Sequence, residues 1–197
     1  MSSELAFELN SDPEARASME SGVPVMAAAS ALGPKGASPL ALCTLTCGGA
    51  VIGTATVRSY VVDTDDLVLD QPGPAAPGTS RASLADLMSV ETGEISGPTR
   101  VLRQDSDPIL INALGTVNGG VASAGLELAA SAAVNAGGPP MHTATLRVHF
   151  LRPFYAGGNS RYDATPMRVG RGTAVADAQA IGDDGRVTLV ARLSAYR

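Results

Sequence analysis

A chain of 197 residues, 45% apolar and 17% charged, is long enough to bury a proper core and too apolar to be disordered. Its net charge of -5, with 14 scattered Lys and Arg, argues against nucleic acid as a partner, because counterion release needs clustered cations. The longest small-apolar stretch, Val121 to Ala136, is broken by Glu127, so no membrane span is expected. The start, Met-Ser-Ser-Glu-Leu, lacks a basic stretch followed by an apolar run, and a cytoplasmic chain is expected.

Leu5 to Leu9 reads as a strand, and so do Leu40 to Thr46 and Val51 to Val62. Cys43 and Cys47 are four residues apart along one strand, about 13 Å, far beyond disulfide reach. Neither histidine is near them in sequence, so free buried thiols are expected rather than a metal site. Gln71 to Ser80 holds three prolines and two glycines and reads as a linker. Beyond it, Ser83 to Glu91 has the pattern of a short helix with Ser83 as N-cap, Thr99 to Gln104 that of a short strand, and Asp105 to Thr116 that of a loop.

A helix of small residues opens at Gly119-Gly120-Val121 and is ended by Asn135, Gly137, Gly138 and two prolines. It has no charged face, so it is expected to be buried on most sides, and a lone carboxylate in it, Glu127, requires a reason. Strands follow at Thr143 to Leu151, with Ala144, Leu146, Val148 and Phe150 on one face, and at Arg161 to Val169, where Pro166 demands an edge or a bulge. Thr173 to Ile181 and Arg186 to Ser194 form a hairpin through Gly182-Asp-Asp-Gly185. One strand, one long helix and an antiparallel run is an α+β pattern with the helix packed on a sheet.

Leu114-Gly-Thr-Val-Asn-Gly-Gly-Val-Ala-Ser-Ala-Gly-Leu-Glu127 resembles the signature of the PaaI-like hotdog thioesterases. Leu146-Arg-Val-His-Phe-Leu-Arg-Pro153 and Val169-Gly-Arg-Gly-Thr-Ala-Val-Ala-Asp177 are similar to later parts of that family, so the resemblance covers roughly residues 80–197. It implies a hotdog fold, a long central helix wrapped by an antiparallel sheet, and hydrolysis of acyl-CoA or acyl-carrier thioesters without a metal or other cofactor. It also implies paired units, hence a homo-oligomer, dimer or tetramer. Asn118 stands where many members have His, and it cannot carry protons near neutral pH.

The chemistry fits the residue types. Glu127 can act as general base or nucleophile. The helix N-terminal amides near Gly120 and Val121, approached across Gly119, suit an oxyanion, and Asn118 can hydrogen-bond the thioester carbonyl or orient water. Arg152, Arg168 and Arg171 can neutralise CoA phosphates or merely solvate a sheet edge. His142 reads as a loop residue and His149 as a polar-face strand residue, with no partner for a triad. Gly120 and Glu127 are seven residues apart, about 10 Å along one helix, so one thioester carbon cannot touch both.

The neighbouring oxyanion end is expected either from a second chain or from the first seventy residues. Ser21-Gly-Val-Pro-Val-Met-Ala-Ala-Ala29 can be laid on Gly119 to Glu127 without a gap, placing Gly22 on Gly120 and Ala29 on Glu127. The expected organisation is thus a shortened, degenerate hotdog-like unit over residues 1–70, a linker over 71–80 and a hotdog domain over 81–197. In it Glu127 works with a Gly22-Val23 helix end. Two other functions compete: a non-catalytic acyl-CoA-binding module or pseudo-enzyme, and hydratase-type addition to an unsaturated thioester, for which no Asp/His pair is visible.

Overall fold

The computed structural model describes residues 2–10, 12–20, 22–33, 39–60, 93–95, 99–104, 108–112 and 114–197. The linker expected over 71–80 and the helix expected over Ser83–Glu91 lie outside them. Among the described residues are ten strands: β1 (Ser2–Leu9), β2 (Val25–Leu32), β3 (Leu40–Cys47), β4 (Ala50–Ser59), β5 (Gly93–Ile95), β6 (Thr99–Arg103), β7 (His142–Phe150), β8 (Arg161–Val169), β9 (Thr173–Ile181) and β10 (Val187–Tyr196). Two α-helices accompany them, α1 (Pro13–Glu20) and α2 (Gly119–Val134), with a 3-10 turn at Pro108–Leu110. No helix among these residues is long and apolar enough to cross a membrane.

The strands make one antiparallel sheet in the order β2-β3-β4-β1-β7-β10-β9-β8-β6-β5. Its first four strands, taken outward from the β1–β7 junction, run β1-β4-β3-β2, and the next four on the other side run β7-β10-β9-β8, with β6 and β5 beyond them. The connection order is the same in both sets. They meet where β1 pairs with β7, Phe7 opposite Leu146 and Leu5 opposite Val148.

α2 lies on the inner face of the second half. Ala174, Ala176, Ala178 and Ala180 of β9 and Leu189, Ala191, Leu193 and Ala195 of β10 are all buried there. The alternation expected for β7 is met in part, with Leu146 and Val148 buried. Small side chains on both surfaces let the helix approach closely. Gly125 shows how closely: a Cβ on it would lie 2.3 Å from the Tyr162 ring of β8. Tyr162 is fully buried, meets Phe154 edge-on at 5.6 Å and donates from its hydroxyl to Gln104 at 2.9 Å. Burial pushes its phenol well above the usual tyrosine range.

Pro166 is accommodated as expected, at a register shift between Pro166 and Arg168, beyond the stretch where β8 pairs with β6. The β9–β10 turn closes through Gly182 N–H to the Arg186 carbonyl, with Gly185 at φ +76. Cys43 and Cys47 are free thiols on β3; Cys47 is buried and donates toward the Ser18 and Val23 carbonyls, while Cys43 is only half-buried.

One expected element is overturned. Residues 22–29 do not form the expected helix: Val25–Leu32 is the edge strand β2, paired along its length with β3. Gly22 stands in a turn at φ +74, not at a helix N-terminus, and Ala29 faces Cys43 in a strand pair rather than matching Glu127. The Ala-rich run favours a helix by intrinsic preference, but the ladder with β3 outweighs it. The helix of this half is instead the short α1, whose Ala15 packs on Cys47 and Ile52. Asp12 caps it, its carboxylate accepting from the Glu14 N–H at 2.8 Å, and Pro13 occupies the first turn.

Candidate functional site

Glu127 is half-buried on α2, and the Thr143 hydroxyl at the start of β7 donates to its Oε1 at 2.5 Å. That side chain faces a cavity of about 340 Å³. Ser131, His142 and Thr143 form the wall on Glu127's side, and Asn10, Arg16, Met19 and Glu20 form the opposite one, contributed by the β1–α1 connection and α1. Residues of the β1–α1 connection and α1 line the cavity at Glu127, and Gly22, expected to supply the facing helix end, is not among them. His142, read as a loop residue from the sequence, is the first residue of β7 and lines this cavity.

Asn118 is the N-cap of α2, its Oδ1 accepting from the Gly120 N–H at 2.9 Å. The Gly120 amide, expected to be open to an oxyanion, is thereby engaged. Gly119 borders a separate cavity of about 180 Å³ with Tyr60, Asn112, Thr116, Phe150 and Arg152. No lining residue is shared between this cavity and the one at Glu127. Val121 is half-buried and packs against the core. The structure thus separates Glu127 from the Asn118–Val121 end of its own helix, as helix geometry requires.

The three arginines do not form one patch. Arg152, exposed, follows β7 at the Gly119 end. Arg168 and Arg171 are exposed at the β8–β9 hairpin, at the opposite end of the strands. There Thr173 pairs with Tyr196 and Tyr196 with His142, so the hairpin is two strands from His142, about 10 Å away.

A larger groove of about 680 Å³ lies on the outer sheet face among Arg147, His149, Asp163, Asp177, Gln179 and Arg192. Most of its charged groups are ion-paired, although Asp163 Oδ1 is buried without a hydrogen bond. Arg192 grips Asp177 at 2.7 and 2.9 Å, Arg147 meets Glu4 at 2.9 Å, and Arg161 lies 3.3 Å from Asp163. The bond to Asp177, with its charge, holds the Arg192 guanidinium further above its ordinary value. His149 falls on this polar face, as its strand phase predicts. The groove lies on the sheet face away from Glu127. No group of three or more His, Cys, Asp or Glu among the described residues is placed to hold a metal ion.

Sequence reasoning passed over three of the residues around Glu127: Arg16, His142 and Thr143. The signal for α1, and so for Arg16, was present in Asp12-Pro13-Glu14, an N-cap followed by proline in the first turn. Thr143 was legible only as a strand residue, because its contact with Glu127 spans sixteen positions.

Comparison with known proteins places this geometry. Residues 108–196 match the family model described as the acyl-CoA thioesterase N-terminal domain. A search of curated proteins gives no match. Among solved structures, the tesB protein of Mycobacterium avium subspecies paratuberculosis is similar over 99% of this chain and 77% of its own, with a TM-score of 0.65 and 19% identity. The PaaI protein of E. coli, from its phenylacetic acid degradation operon, covers 59% of this chain and 85% of its own, with a TM-score of 0.54 and 19% identity. A Bacillus halodurans protein solved with CoA covers 59% and 79%, with a TM-score of 0.52 and 25% identity. The chain has the hotdog fold, and its residues 108–196 are similar to the acyl-CoA thioesterase N-terminal domain.

Proposed function

We propose that this protein hydrolyses acyl-CoA thioesters in the cavity between α1 and α2, with Glu127 as the general base toward water. The observation that carries this reading is the Glu127 carboxylate itself: the one acidic group of a 16-residue helix of small and apolar residues, held by Thr143 and facing a cavity of about 340 Å³. A half-buried carboxylate costs free energy unless it is bonded or used, and one hydrogen bond to Oε1 leaves Oε2 for a water molecule. The thioester carbon then lies between that water and the α1 wall.

The substrate class rests on the family match over residues 108–196 and on the neighbour solved with CoA. Arg168 and Arg171 stand at the Glu127 end of the sheet and suit the nucleotide phosphates; Arg152 stands at the other end. Asn118 is assigned to capping α2 rather than to chemistry. The division into a degenerate unit over 1–70 and a complete one over 81–197 is supported by the repeated strand order, with α1 in the place where the second half has only a loop.

Thiol release from a panel of short, long and aromatic acyl-CoAs tests the reading. Turnover by the wild type that falls at least about a hundredfold in Glu127→Ala supports it and identifies the acyl class. Binding of acyl-CoA without release of thiol would make the protein a binding module instead.

A further inference from the structure

β2 ends the sheet on one side, and it lacks the devices that keep a strand edge apart from other chains. Its eight residues carry no charge and no proline, and its pairing with β3 runs from Val25 to Leu32 without a bulge. All eight are exposed: Val25, Ala27, Ala29 and Ala31 on one face, Met26, Ala28, Ser30 and Leu32 on the other. Met26 is 66% and Val25 53% exposed, so apolar side chains stand in water on both faces. β3 behind it is uncharged as well. Every second residue of β2 points its N–H and C=O away from β3, and among the described residues no strand takes them.

The second half of the same sheet shows what such an edge accepts. β8 holds the place that β2 holds in the first half, fourth from the β1–β7 junction. β6 pairs with its outer side, Arg100 to Arg103 against Ala164 to Arg161. Among the described residues β2 has no counterpart of β6, so the vacant place is one strand wide. The opposite end of the sheet, β5, is three residues long and carries Glu94, too short to line β2. A head-to-tail chain of copies is therefore disfavoured, and a like-with-like contact remains.

We propose that β2 is the docking edge for a second copy of this chain, the two β2 strands pairing antiparallel about a two-fold axis at Ala29. Two-fold symmetry makes the pair antiparallel, and each sheet face stays continuous only if the central residue opposes its own copy. The sequence selects the centre: prolines stand at positions 24 and 34, and the proline-free stretch between them is symmetric about Ala29. Ala27 then opposes the partner's Ala31, Ala28 the partner's Ser30 and Met26 the partner's Leu32, so no pair sets like charges together. The pairs from Met26 to Leu32 outnumber those from Glu4 to Glu8 by which β1 and β7 unite the two halves of one chain. No residue of β2 lines the Glu127 cavity, so the contact neither depends on the chemistry there nor excludes a further contact that completes it.

Sedimentation equilibrium of the full chain over a range of concentrations tests the proposal on wild type, Ala29→Lys, Ala29→Glu and an equal mixture of the two variants, each with its melting temperature. Wild type is expected to have twice the mass of either variant, because like charges facing across the axis raise the dissociation constant at least about tenfold. Mixing the two variants is expected to restore the larger mass. A monomeric wild type, or an assembly that both variants keep, overturns the proposal; the second outcome would put the contact on another surface. A loss of assembly that mixing does not reverse overturns the pairing about Ala29. Hydrogen exchange of wild type decides the matter without variants: the amides of Val25–Leu32 should gain protection as protein concentration rises. Protection independent of concentration overturns the proposal, and strong protection in a monomer would mean that another segment occupies the edge.

Discussion

Thr143, at the start of β7, donates its hydroxyl to Glu127 in the middle of α2 across sixteen positions of sequence. The contact links the strand that joins the two halves of the sheet to the one acid of the central helix. Hydrogen bonds to charged groups contribute about 1.5–3 kcal/mol, and this one also fixes which oxygen faces the cavity. Thr143→Val keeps the shape and removes the donor. It is expected to lower kcat by about tenfold to a hundredfold, measured as thiol release at saturating acyl-CoA. An unchanged kcat would mean that Glu127 is oriented without Thr143.

Gly125 is expected to be irreplaceable for packing, not for helix conformation. In an exposed helix, Gly→Ala stabilises by about 1 kcal/mol. Here the new Cβ would lie 2.3 Å from a ring that is itself fully buried against Phe154 and bonded to Gln104. Gly125→Ala should therefore destabilise by about 3 kcal/mol, read from the urea midpoint. The sign alone decides the point.

Asn118 caps α2, and the cap is separable from the chemistry. Asn118→Ala should cost about 1 kcal/mol of stability, while Asn118→Asp, which keeps an acceptor for the Gly120 N–H, should cost much less. Neither should change kcat at the Glu127 cavity. A loss of kcat in Asn118→Asp at unchanged stability would return Asn118 to the reacting atoms.

Arg168 and Arg171 are assigned to the nucleotide end of the substrate. The double variant to Ala should raise KM for acyl-CoA severalfold and leave KM for an N-acetylcysteamine thioester unaltered. The effect should shrink as salt rises, because both groups are exposed. Equal changes on both substrates would contradict the assignment.

The second half of the fold was legible from local patterns because each pattern had one physical cause. Gly182-Asp-Asp-Gly185 specified a hairpin, Pro166 demanded an edge or a bulge, and a helix without a charged face had to be buried. The first half was harder. Val25-Met-Ala-Ala-Ala-Ser-Ala-Leu32 carries alanine on both faces of the strand, so the two-residue alternation that marks a strand is erased, and the run reads as a helix. Glu127 stood out because a lone carboxylate is costly in such a helix. Arg16 did not, since an arginine on a short helix is ordinary until tertiary structure sets it opposite Glu127.

The most direct test is the rate of thiol release by Glu127→Gln against wild type, on the best acyl-CoA, at matched folded fraction. Glutamine keeps an acceptor for Thr143 and the volume of the side chain but cannot take a proton from water. A fall in kcat of about a hundredfold or more, with KM and melting temperature close to wild type, is the predicted result. A variant that turns over at the wild-type rate would contradict the account and leave Glu127 a structural acid.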